Sequence, residues 1–330
     1  MTAIALVTGG AGFIGSHVAD ELLRLGSRVV VLDDLSGGYR DNVPAGAEFV
    51  EGSILDHALV DRLFARHRFD HVYHLAAYAA EGLSHFIKRF NYMNNVVGSI
   101  NLIDAAVNFE ARCFVFTSSI AVYGAGQVPM EEEALPQPED SYGIAKLAVE
   151  LELAASRRLF GLDYVVFRPH NVYGERQNIA DRYRNVIGIF MNQLMRGEPM
   201  TIFGDGSQKR AFTYISDVAP VIAGAAANPA LRNQTFNLGA DTPYEVNQLA
   251  RTVAAALGKE CRTVHLPARE EVLMAFSSHA RLARLIGYRA GVGLEDGIRR
   301  MADWALAVGP RASRPFDAIE IRKNLPKGWA

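Results

Sequence analysis

The feature that most constrains the fold is a glycine-rich segment between an apolar run and a helix-like run. Its glycines are Gly9, Gly12 and Gly15, and a second apolar run farther along ends in Asp33. This layout predicts a β-strand, a glycine turn, a helix and a second strand. In such a unit, bare backbone N–H groups and a helix N-terminus can bind a pyrophosphate. Gly9 allows the tight turn, Gly12 allows the backbone to approach the phosphates, and Gly15 allows the helix to pack on the strand.

The acidic end of the second strand indicates which dinucleotide binds. Asp33 stands where a carboxylate can accept hydrogen bonds from the adenosine ribose hydroxyls. A 2′-phosphate would meet Asp33 and Asp34, with no arginine among residues 35–38. Because like charges repel, the sequence predicts NAD rather than NADP as the cofactor.

Composition excludes several classes of function. The chain has 330 residues with a net charge of −2, and no basic stripe that would bind nucleic acid. It has two cysteines, far apart, which is typical of a reducing compartment. No apolar run is long enough for a membrane span, and the N-terminus lacks the pattern of an export signal. We therefore expect a cytoplasmic protein without membrane contact, and we predict no metal site.

The first half of the chain alternates strand-like and helix-like runs, which predicts an α/β protein with a doubly wound parallel sheet. The predicted strands are residues 4–8, 28–33, 47–51, 71–75, 113–118 and 164–168. The predicted helices are residues 15–25, 59–66, 92–109 and 141–160. Ligands of such sheets lie beyond the carboxyl ends of the strands.

After residue 168 the pattern changes to shorter elements, which predicts a smaller second lobe. Helices are expected at 186–196, 217–227, 245–257, 280–286 and 294–307, and strands at 200–203, 211–215 and 235–238. Residues 310–315 are expected to form a surface turn before a short tail. We predict that residues 1–170, with about 211–238, form the NAD-binding domain, and that residues 171–210 and 239–330 form the substrate lobe.

A tyrosine and a lysine four residues apart are the candidate catalytic pair. Tyr142 and Lys146 share one face of a predicted helix. A nearby ammonium group favours the phenolate, so we expect the pKa of Tyr142 to lie below its usual value of about 10. Such a phenol can remove a proton from a sugar hydroxyl and return it. Ser119, at the end of a preceding strand, could hydrogen-bond the same hydroxyl.

These motifs resemble the signatures of the extended short-chain dehydrogenases/reductases. Within that family the chain is similar to the nucleotide-sugar epimerases and dehydratases, whose archetype is UDP-galactose 4-epimerase. The matching segments are residues 9–15, 74–77, 118–124, 142–146 and 168–174. The resemblance runs from Ala3 to about Ala307 and implies a Rossmann-like sheet with a smaller C-terminal substrate lobe.

The resemblance also implies a role for individual residues. Tyr142 would be the acid/base, Lys146 would bind the nicotinamide ribose, and Ser119 would orient the substrate. The residues implied in NAD binding are Gly9, Gly12, Phe13, Ile14, Gly15, Asp33, Asp34, Leu35, Ser36, Gly37, Ser53, Ile54, Leu75, Ala76, Ala77, Asn95, Thr117, Tyr142, Lys146 and Pro169. Those implied in binding the nucleotide sugar are Ala79, Glu81, Ser119, Ile120, Tyr142, Asn171, Arg210 and Arg269. The two arginines would bind the diphosphate, since a guanidinium pairs with phosphate oxygens in a bidentate manner.

Departures from the family pattern narrow the reaction. The 4,6-dehydratases carry an Asp-Glu pair where this chain has Ile120 and Ala121, which cannot transfer a proton. Epimerases acting at C3 and C5 carry a cysteine at the position of Ala121. Galactose epimerases carry a lysine at the position of Ala79 and a valine at that of Glu81. If Glu81 faces the site, it would repel a sugar carboxylate, so we predict a neutral or amino sugar rather than a uronate.

The main hypothesis is therefore an NAD-dependent nucleotide-sugar epimerase that acts by reversible hydride transfer through a ketosugar, with 4-epimerisation as the expected reaction. Other enzymatic hypotheses are a C2-epimerase, a reductase or a dehydratase of the same family. The non-enzymatic hypothesis is an NAD-binding regulator or scaffold. In the family, the helices predicted at 92–109 and 141–160 form a dimer interface, so the resemblance implies a homodimer.

Overall fold

A computed structural model describes residues 2–126, 128–268, 273–313, 316–326 and Trp329. Its strands are β1 Ile4–Thr8, β2 Arg28–Asp33, β3 Glu48–Glu51, β4 His71–His74, β5 Cys113–Thr117, β6 Tyr164–Pro169, β7 Val172–Tyr173, β8 Met200–Phe203, β9 Lys209–Ala211, β10 Thr213–Tyr214, β11 Gln234–Leu238, β12 Pro243–Glu245, β13 Thr263–Leu266 and β14 Met274–Ala275. Its α-helices are α1 Phe13–Arg24, α2 His57–His67, α3 Glu81–Ser84, α4 Lys88–Tyr92, α5 Gly98–Asn108, α6 Ser141–Phe160, α7 Val186–Met195, α8 Ala219–Gly224, α9 Val246–Ala256, α10 Ala280–Ile286 and α11 Leu294–Val308.

The centre of the fold is a seven-stranded sheet in which every neighbouring pair of strands is parallel. The order is β3-β2-β1-β4-β5-β6-β11. The chain starts in the middle of the sheet, winds out to one side and then to the other. This reversal puts the carboxyl ends of β1 and β4 side by side, where ligands of doubly wound sheets bind. The predicted doubly wound parallel α/β fold is confirmed.

Helices cover both faces of this sheet, whose central strands are buried along most of their length. The five residues of β5 are all buried, as are all residues of β2 after Arg28. Apolar side chains of α2, α5 and α6 pack on one face. Those of α1 and α8 pack on the other face, in a cluster that continues into the second lobe.

The second lobe is made of short strand pairs and helices. Strand β8 pairs with β13, β7 pairs with β10, and β9 lies between β12 and β14. The apolar faces of α7, α9 and α11 pack against one another. The chain returns to the large sheet between these pieces, because β11 pairs with β6. The division into two domains at the predicted boundaries remains a prediction.

Most long elements lie where the sequence predicts them, and the differences are local. Helix α6 has the predicted bounds, but the helix predicted at 92–109 is interrupted: residues Met93–Val97 form a π-helix, and α5 starts at Gly98. The predicted strand 211–215 is divided between β9 and β10. The short helices α3 and α4 were not predicted, because four or five residues are too few to show helical periodicity.

Candidate active site

A cleft of about 1440 Å³ runs between the two lobes, along the carboxyl ends of the sheet strands. The glycine turn after β1 lines one end, and Arg210 and Phe212 of the second lobe line the other. Tyr142 and Ser119 lie on its wall between the two ends. The cleft therefore brings together residues from motifs that are far apart in the sequence.

The glycine turn has no room for side chains. Gly9 has a φ of +72°, and a Cβ there would lie 2.7 Å from the backbone nitrogen of Ala76. A Cβ on Gly15 would lie 2.1 Å from the carbonyl oxygen of Gly9. Helix α1 begins directly after Gly12, with no acidic residue in its first turn. Bare backbone at a helix N-terminus fits an anionic diphosphate, so these residues fit the NAD pyrophosphate.

The Asp33 carboxylate anchors the loop beside this turn. Its oxygens accept hydrogen bonds from the backbone nitrogens of Ala11 (3.0 Å) and Leu35 (2.8 Å). Burial raises the pKa of Asp33 above its usual value, although these two bonds oppose the rise. Each carboxylate oxygen can accept a second hydrogen bond, so Asp33 can still bind a ribose hydroxyl.

A buried histidine underlies the cofactor end of the cleft. His74 Nδ1 lies 2.8 Å from Thr8 Oγ1, and its Nε2 lies 2.8 Å from Ser99 Oγ. Burial, together with the nearby charge of Lys146, lowers the pKa of His74 to about 3, so the ring is neutral. The backbone nitrogen of Ala76 in turn donates to Thr8 Oγ1 (3.3 Å). This chain of bonds holds the segment that follows β4, residues 75–77, along the cleft.

The three predicted catalytic residues lie next to one another. Ser119 is close enough to Tyr142 to lower the pKa of its phenol, and both residues line the cleft, with Tyr142 6% exposed. The Lys146 ammonium donates to the carbonyl oxygen of Thr117 at 2.7 Å and lies 5.7 Å from the centre of the Tyr142 ring. Helix α6 begins at Ser141, directly before Tyr142, after an N-cap by Asp140, whose carboxylate accepts from the nitrogen of Gly143.

The expected low pKa of Tyr142 is wrong for this structure. Burial raises the pKa of the phenol above its usual range, and the Glu81 carboxylate adds to the rise. Ser119 lowers the pKa of the phenol without reversing the direction. Burial also lowers the pKa of Lys146, to about 7. Desolvation of the phenol therefore outweighs the effect expected of the nearby ammonium.

The asparagine assigned to the cofactor lies behind the cleft wall. Asn95 is in the π-helix, and its amide bonds both the nitrogen (2.9 Å) and the carbonyl oxygen (3.1 Å) of Tyr78. It also donates to Asn91, whose amide donates to the carbonyl oxygen of Ser141 at 2.7 Å. The structure therefore places Asn95 as a support for the start of α6, the role that the resemblance implies for this asparagine, and a direct contact of Asn95 with NAD remains a prediction.

The predicted cofactor residues line the cleft with few exceptions. Those that line it are Gly9, Gly12, Phe13, Ile14, Gly15, Asp33, Asp34, Ser36, Gly37, Ile54, Leu75, Ala76, Ala77, Thr117, Tyr142, Lys146 and Pro169. Leu35, Ser53 and Asn95 are not among the lining residues. Leu35 has a φ of +60° in the turn after β2, and the Ser53 hydroxyl accepts from the nitrogen of Leu55. Both serve the local turn geometry.

The predicted substrate residues Ala79, Glu81, Ser119, Ile120, Tyr142, Asn171 and Arg210 also line the cleft. Glu81 is exposed to the cleft and close enough to Tyr142 to affect its pKa. Asn171 has a φ of +42° and donates to the carbonyl oxygen of Ala211. Arg269 lies outside the described residues.

Several lining residues carried no signal in the sequence. Tyr78, Tyr183, Arg184 and Trp329 all line the cleft near Glu81. The Arg184 guanidinium is 2.5 Å from the Asp181 carboxylate and lies over the Tyr78 ring at 4.8 Å. These residues come from separate loops and from the C-terminal segment, so no local pattern joins them.

Comparison with known proteins gives one consistent result. The family model described as the NAD dependent epimerase/dehydratase family matches residues 5–239. A UDP-glucose 4-epimerase from Mycolicibacterium smegmatis is 34% identical over 91% of this chain and 97% of its own length. The crystal structure of a UDP-glucose 4-epimerase from Thermotoga maritima with UDP-glucose is 35% identical, with a TM-score of 0.87 over 91% of this chain and 98% of that one.

A further solved structure, the UDP-glucose 4-epimerase from Thermus thermophilus in complex with NAD, is 33% identical with a TM-score of 0.86. The match covers 91% of this chain and 98% of the Thermus thermophilus chain. These matches confirm the predicted resemblance, the NAD cofactor and an enzyme of the nucleotide-sugar epimerase type. The chain belongs to the NAD-dependent epimerase/dehydratase family.

Proposed function

We propose that this protein epimerises a neutral UDP-hexose at C4. The observation that carries the proposal is the position of the Tyr142 phenol, which lines the cleft together with Ser119, the glycine turn and Arg210. A sugar that lies beside Tyr142 can place its diphosphate toward Asn171 and Arg210. The relatives named as UDP-glucose 4-epimerases support the choice of reaction and nucleotide.

The residues of this chain bind, orient and move one proton. The phenolate form of Tyr142 takes the proton of the C4 hydroxyl, and the resulting phenol later returns it, while Ser119 orients that hydroxyl. The glycine turn, Asp33 and Lys146 would hold NAD, with Lys146 as a donor to the nicotinamide ribose. Bound there, NAD would supply reversible hydride transfer at the same carbon.

Incubation with UDP-glucose and UDP-galactose, without added cofactor, tests the proposal. An epimerase interconverts them and consumes no NAD(P)H, whereas a reductase requires a stoichiometric amount. Tyr142→Phe should lower kcat by about 10²–10⁴-fold, the usual contribution of a general acid/base. Tyr164→Phe is the matched control, since Tyr164 is a half-buried tyrosine at the start of β6 that does not line the cleft. Full activity of Tyr142→Phe, or no conversion of any UDP-sugar by the intact protein, would refute the proposal.

The exposed carboxylate of Glu81 supports a neutral sugar. It lines the cleft and acts on Tyr142, so a uronate bound beside Tyr142 would meet a like charge. We expect kcat/KM for UDP-glucuronate to be at least about tenfold below that for UDP-glucose, since like-charge repulsion of about 1.4 kcal/mol gives this factor. Equal efficiency with the two substrates would contradict the assignment.

We also propose a homodimer formed through α5, α6 and the preceding π-helix. Apolar side chains on these helices are exposed: Met93 (47%), Val97 (40%), Ile144 (42%) and Leu151 (63%). Burial of such side chains favours association. Light scattering should give the mass of a dimer, and Leu151→Glu should shift it toward the monomer. Leu135→Glu, on a loop leucine that is even more exposed (76%), should leave the mass unchanged. A monomeric mass for the intact protein would refute the dimer.

Within the part of the chain that the structure describes, none of the helices combines the length and the apolar character needed to span a bilayer. The cytoplasmic location remains a prediction from composition.

A further inference from the structure

The C-terminal segment is packed across the cleft between the two lobes. We name its described residues, 310–313, 316–326 and Trp329, the C-terminal strap. At one end, Arg311 and Asn192 of α7 exchange two hydrogen bonds of 2.9 Å. Farther along, the Phe316 nitrogen donates to the Tyr183 hydroxyl at 2.9 Å. The strap lies outside the region that the family model matches, residues 5–239.

Glu320 fixes the middle of the strap to the first lobe. Its two carboxylate oxygens accept from the backbone nitrogens of Arg89 (2.8 Å) and Phe90 (2.9 Å), in the first turn of α4. The backbone nitrogens of Glu320 and Ile321 both donate to the carbonyl oxygen of Phe86. These four bonds connect the strap to the same segment, 81–92, that forms the cleft wall near Tyr142.

The indole of Trp329 packs against the cleft wall at the end of the strap. It is 6% exposed and still lines the cleft. Its ring meets Tyr183 edge-on, with centroids 5.3 Å apart, and Phe86 at 6.2 Å. A Cβ on Gly82 would lie 3.1 Å from its Cη2 atom. The indole therefore fills the space between α3 and the loop that carries Tyr183.

The position of this indole along the cleft is set by its neighbours. Gly82 follows Glu81, which lines the cleft with Tyr142. Tyr183 precedes Arg184, whose guanidinium lies over the Tyr78 ring at 4.8 Å and 3.6 Å from where a Cβ on Gly37 would stand. Arg210, the expected diphosphate ligand, belongs to β9 in the second lobe. Trp329 is therefore part of the wall around Tyr142, where the proposed function places the sugar.

From these contacts we propose that the C-terminal strap forms one wall of the sugar subsite, and that Trp329 is a specificity-determining residue that limits the size of the sugar substituents. The inference rests on the proposed function, because it assigns the sugar to the end of the cleft at Tyr142. Because a large rigid ring packed against Gly82 takes up space in the cleft, we expect it to admit a hexose hydroxyl more readily than a bulkier group such as an N-acetyl substituent.

The first test is a change of specificity. Trp329→Ala should lower kcat/KM for UDP-glucose and raise the ratio of kcat/KM for UDP-N-acetylglucosamine to that for UDP-glucose by about tenfold, with Trp329→Phe in between. The thermal midpoint of each variant is measured in parallel. An equal fall for both sugars would overturn the proposal, because it would show a purely structural role.

The second test does not need turnover. The sequence contains two tryptophans, so Trp304→Phe, a change in α11 away from the cleft lining, leaves Trp329 as the only indole. UDP-glucose should change the fluorescence of this variant, or protect it from acrylamide, clearly more than UDP alone, which lacks the sugar. In the Trp304→Phe background, Glu320→Ala should increase the quenching of Trp329 by acrylamide, because the strap loses two hydrogen bonds to the first lobe. Glu320→Gln keeps one acceptor oxygen and should increase the quenching less.

The two proposals fail in different ways. If no UDP-sugar is converted but UDP-glucose changes the fluorescence of Trp329 more than UDP does, the 4-epimerase proposal is refuted. The proposal that Trp329 forms a wall of the sugar subsite is then supported. If UDP-glucose is converted but acts on Trp329 no more than UDP does, the sugar wall is refuted and the 4-epimerase proposal stands.

Discussion

The two ends of the cleft are built in different ways. At the cofactor end, the part that fits the diphosphate is backbone from one continuous stretch, in which Gly9, Gly12 and Gly15 leave the N-terminus of α1 bare. The wall around Tyr142 is made of side chains from four distant segments, among them Glu81, Tyr183 and Trp329. In a site made of local backbone, a substitution weakens binding mainly by adding a side chain that clashes. In a site made of side chains from distant segments, each side chain can be replaced separately.

The largest effect is expected from a clash at the cofactor end. A Cβ at Gly15 would lie 2.1 Å from the carbonyl oxygen of Gly9, so Gly15→Ala must displace the turn. We expect the affinity for NAD to fall by about 10–100-fold, since a hydrogen bond to a charged group contributes about 1.5–3 kcal/mol and each 1.4 kcal/mol changes affinity tenfold. Calorimetric titration with NAD measures it.

Gly224→Ala is the matched control for this variant. Gly224 is also helical, with no atom within 4 Å of its added Cβ, and the substitution should leave NAD affinity unchanged. Gly12→Ala, with a closest contact of 3.0 Å, should give an intermediate loss. If a folded Gly15→Ala protein bound NAD with wild-type affinity, the prediction would be contradicted, because the turn would then tolerate a side chain.

A smaller effect, on the free energy of unfolding, is expected when Lys146 is replaced. Burial lowers the pKa of Lys146 from 10.5 to about 7, so the folded protein loses this proton at a lower pH than the unfolded chain does. The cost of burying the ammonium is therefore full below pH 7 and disappears as the pH rises to about 10.5. Lys146→Met should be inactive yet more stable below pH 7, by about 1–3 kcal/mol, with a smaller gain at higher pH.

Denaturant unfolding at pH 6, 8 and 10 measures this difference. Lys259→Met replaces an exposed lysine and should show no such dependence on pH. A Lys146→Met protein that is less stable than the wild type at pH 6 would show that the 2.7 Å bond to Thr117 outweighs the desolvation of the ammonium.

The smallest effect is expected from a single charge at the Tyr142 wall. The Glu81 carboxylate raises the pKa of the phenol, so Glu81→Gln lowers that pKa and moves the acidic limb of the kcat/KM profile to lower pH. Because Glu81 is exposed and screened by solvent, the shift should stay below about one pH unit. Glu139→Gln, an exposed residue that also lines the cleft, should not move the limb. A shift of the limb to higher pH in Glu81→Gln would contradict the assigned direction.

The same contrast explains what could be predicted from the sequence. The glycine turn, Asp33 and the Tyr142–Lys146 pair each lie within a few residues of a strand end or helix start, so local patterns find them. The bounds of β1, β2 and α6 follow from periodicity for the same reason. The pKa of Tyr142 could not be predicted, because it depends on burial by residues far away in the chain.

The wall residues escape prediction for a related reason. Residues 310–315 were expected to form a surface turn before a short tail, since proline-rich polar sequence is typical of turns. Residues 310–313 form no helix or strand, and residues 314 and 315 lie outside the described residues, so the turn stays a prediction. The strap is held by partners such as Asn192, Phe86 and Tyr183, which are over 100 residues away along the chain. No local pattern indicates these partners, on which the role proposed for Trp329 depends.

The return of the chain to β11 has a consequence for biosynthesis. Strand β6 acquires its outer neighbour only after β7 to β10 have left the ribosome, since β11 is the strand that covers that edge. Until then a nascent chain presents a buried-type strand with unpaired backbone groups, which is a template for aggregation. Ribosome stalling or premature termination between residues 170 and 233 should therefore produce the fragments most dependent on chaperones.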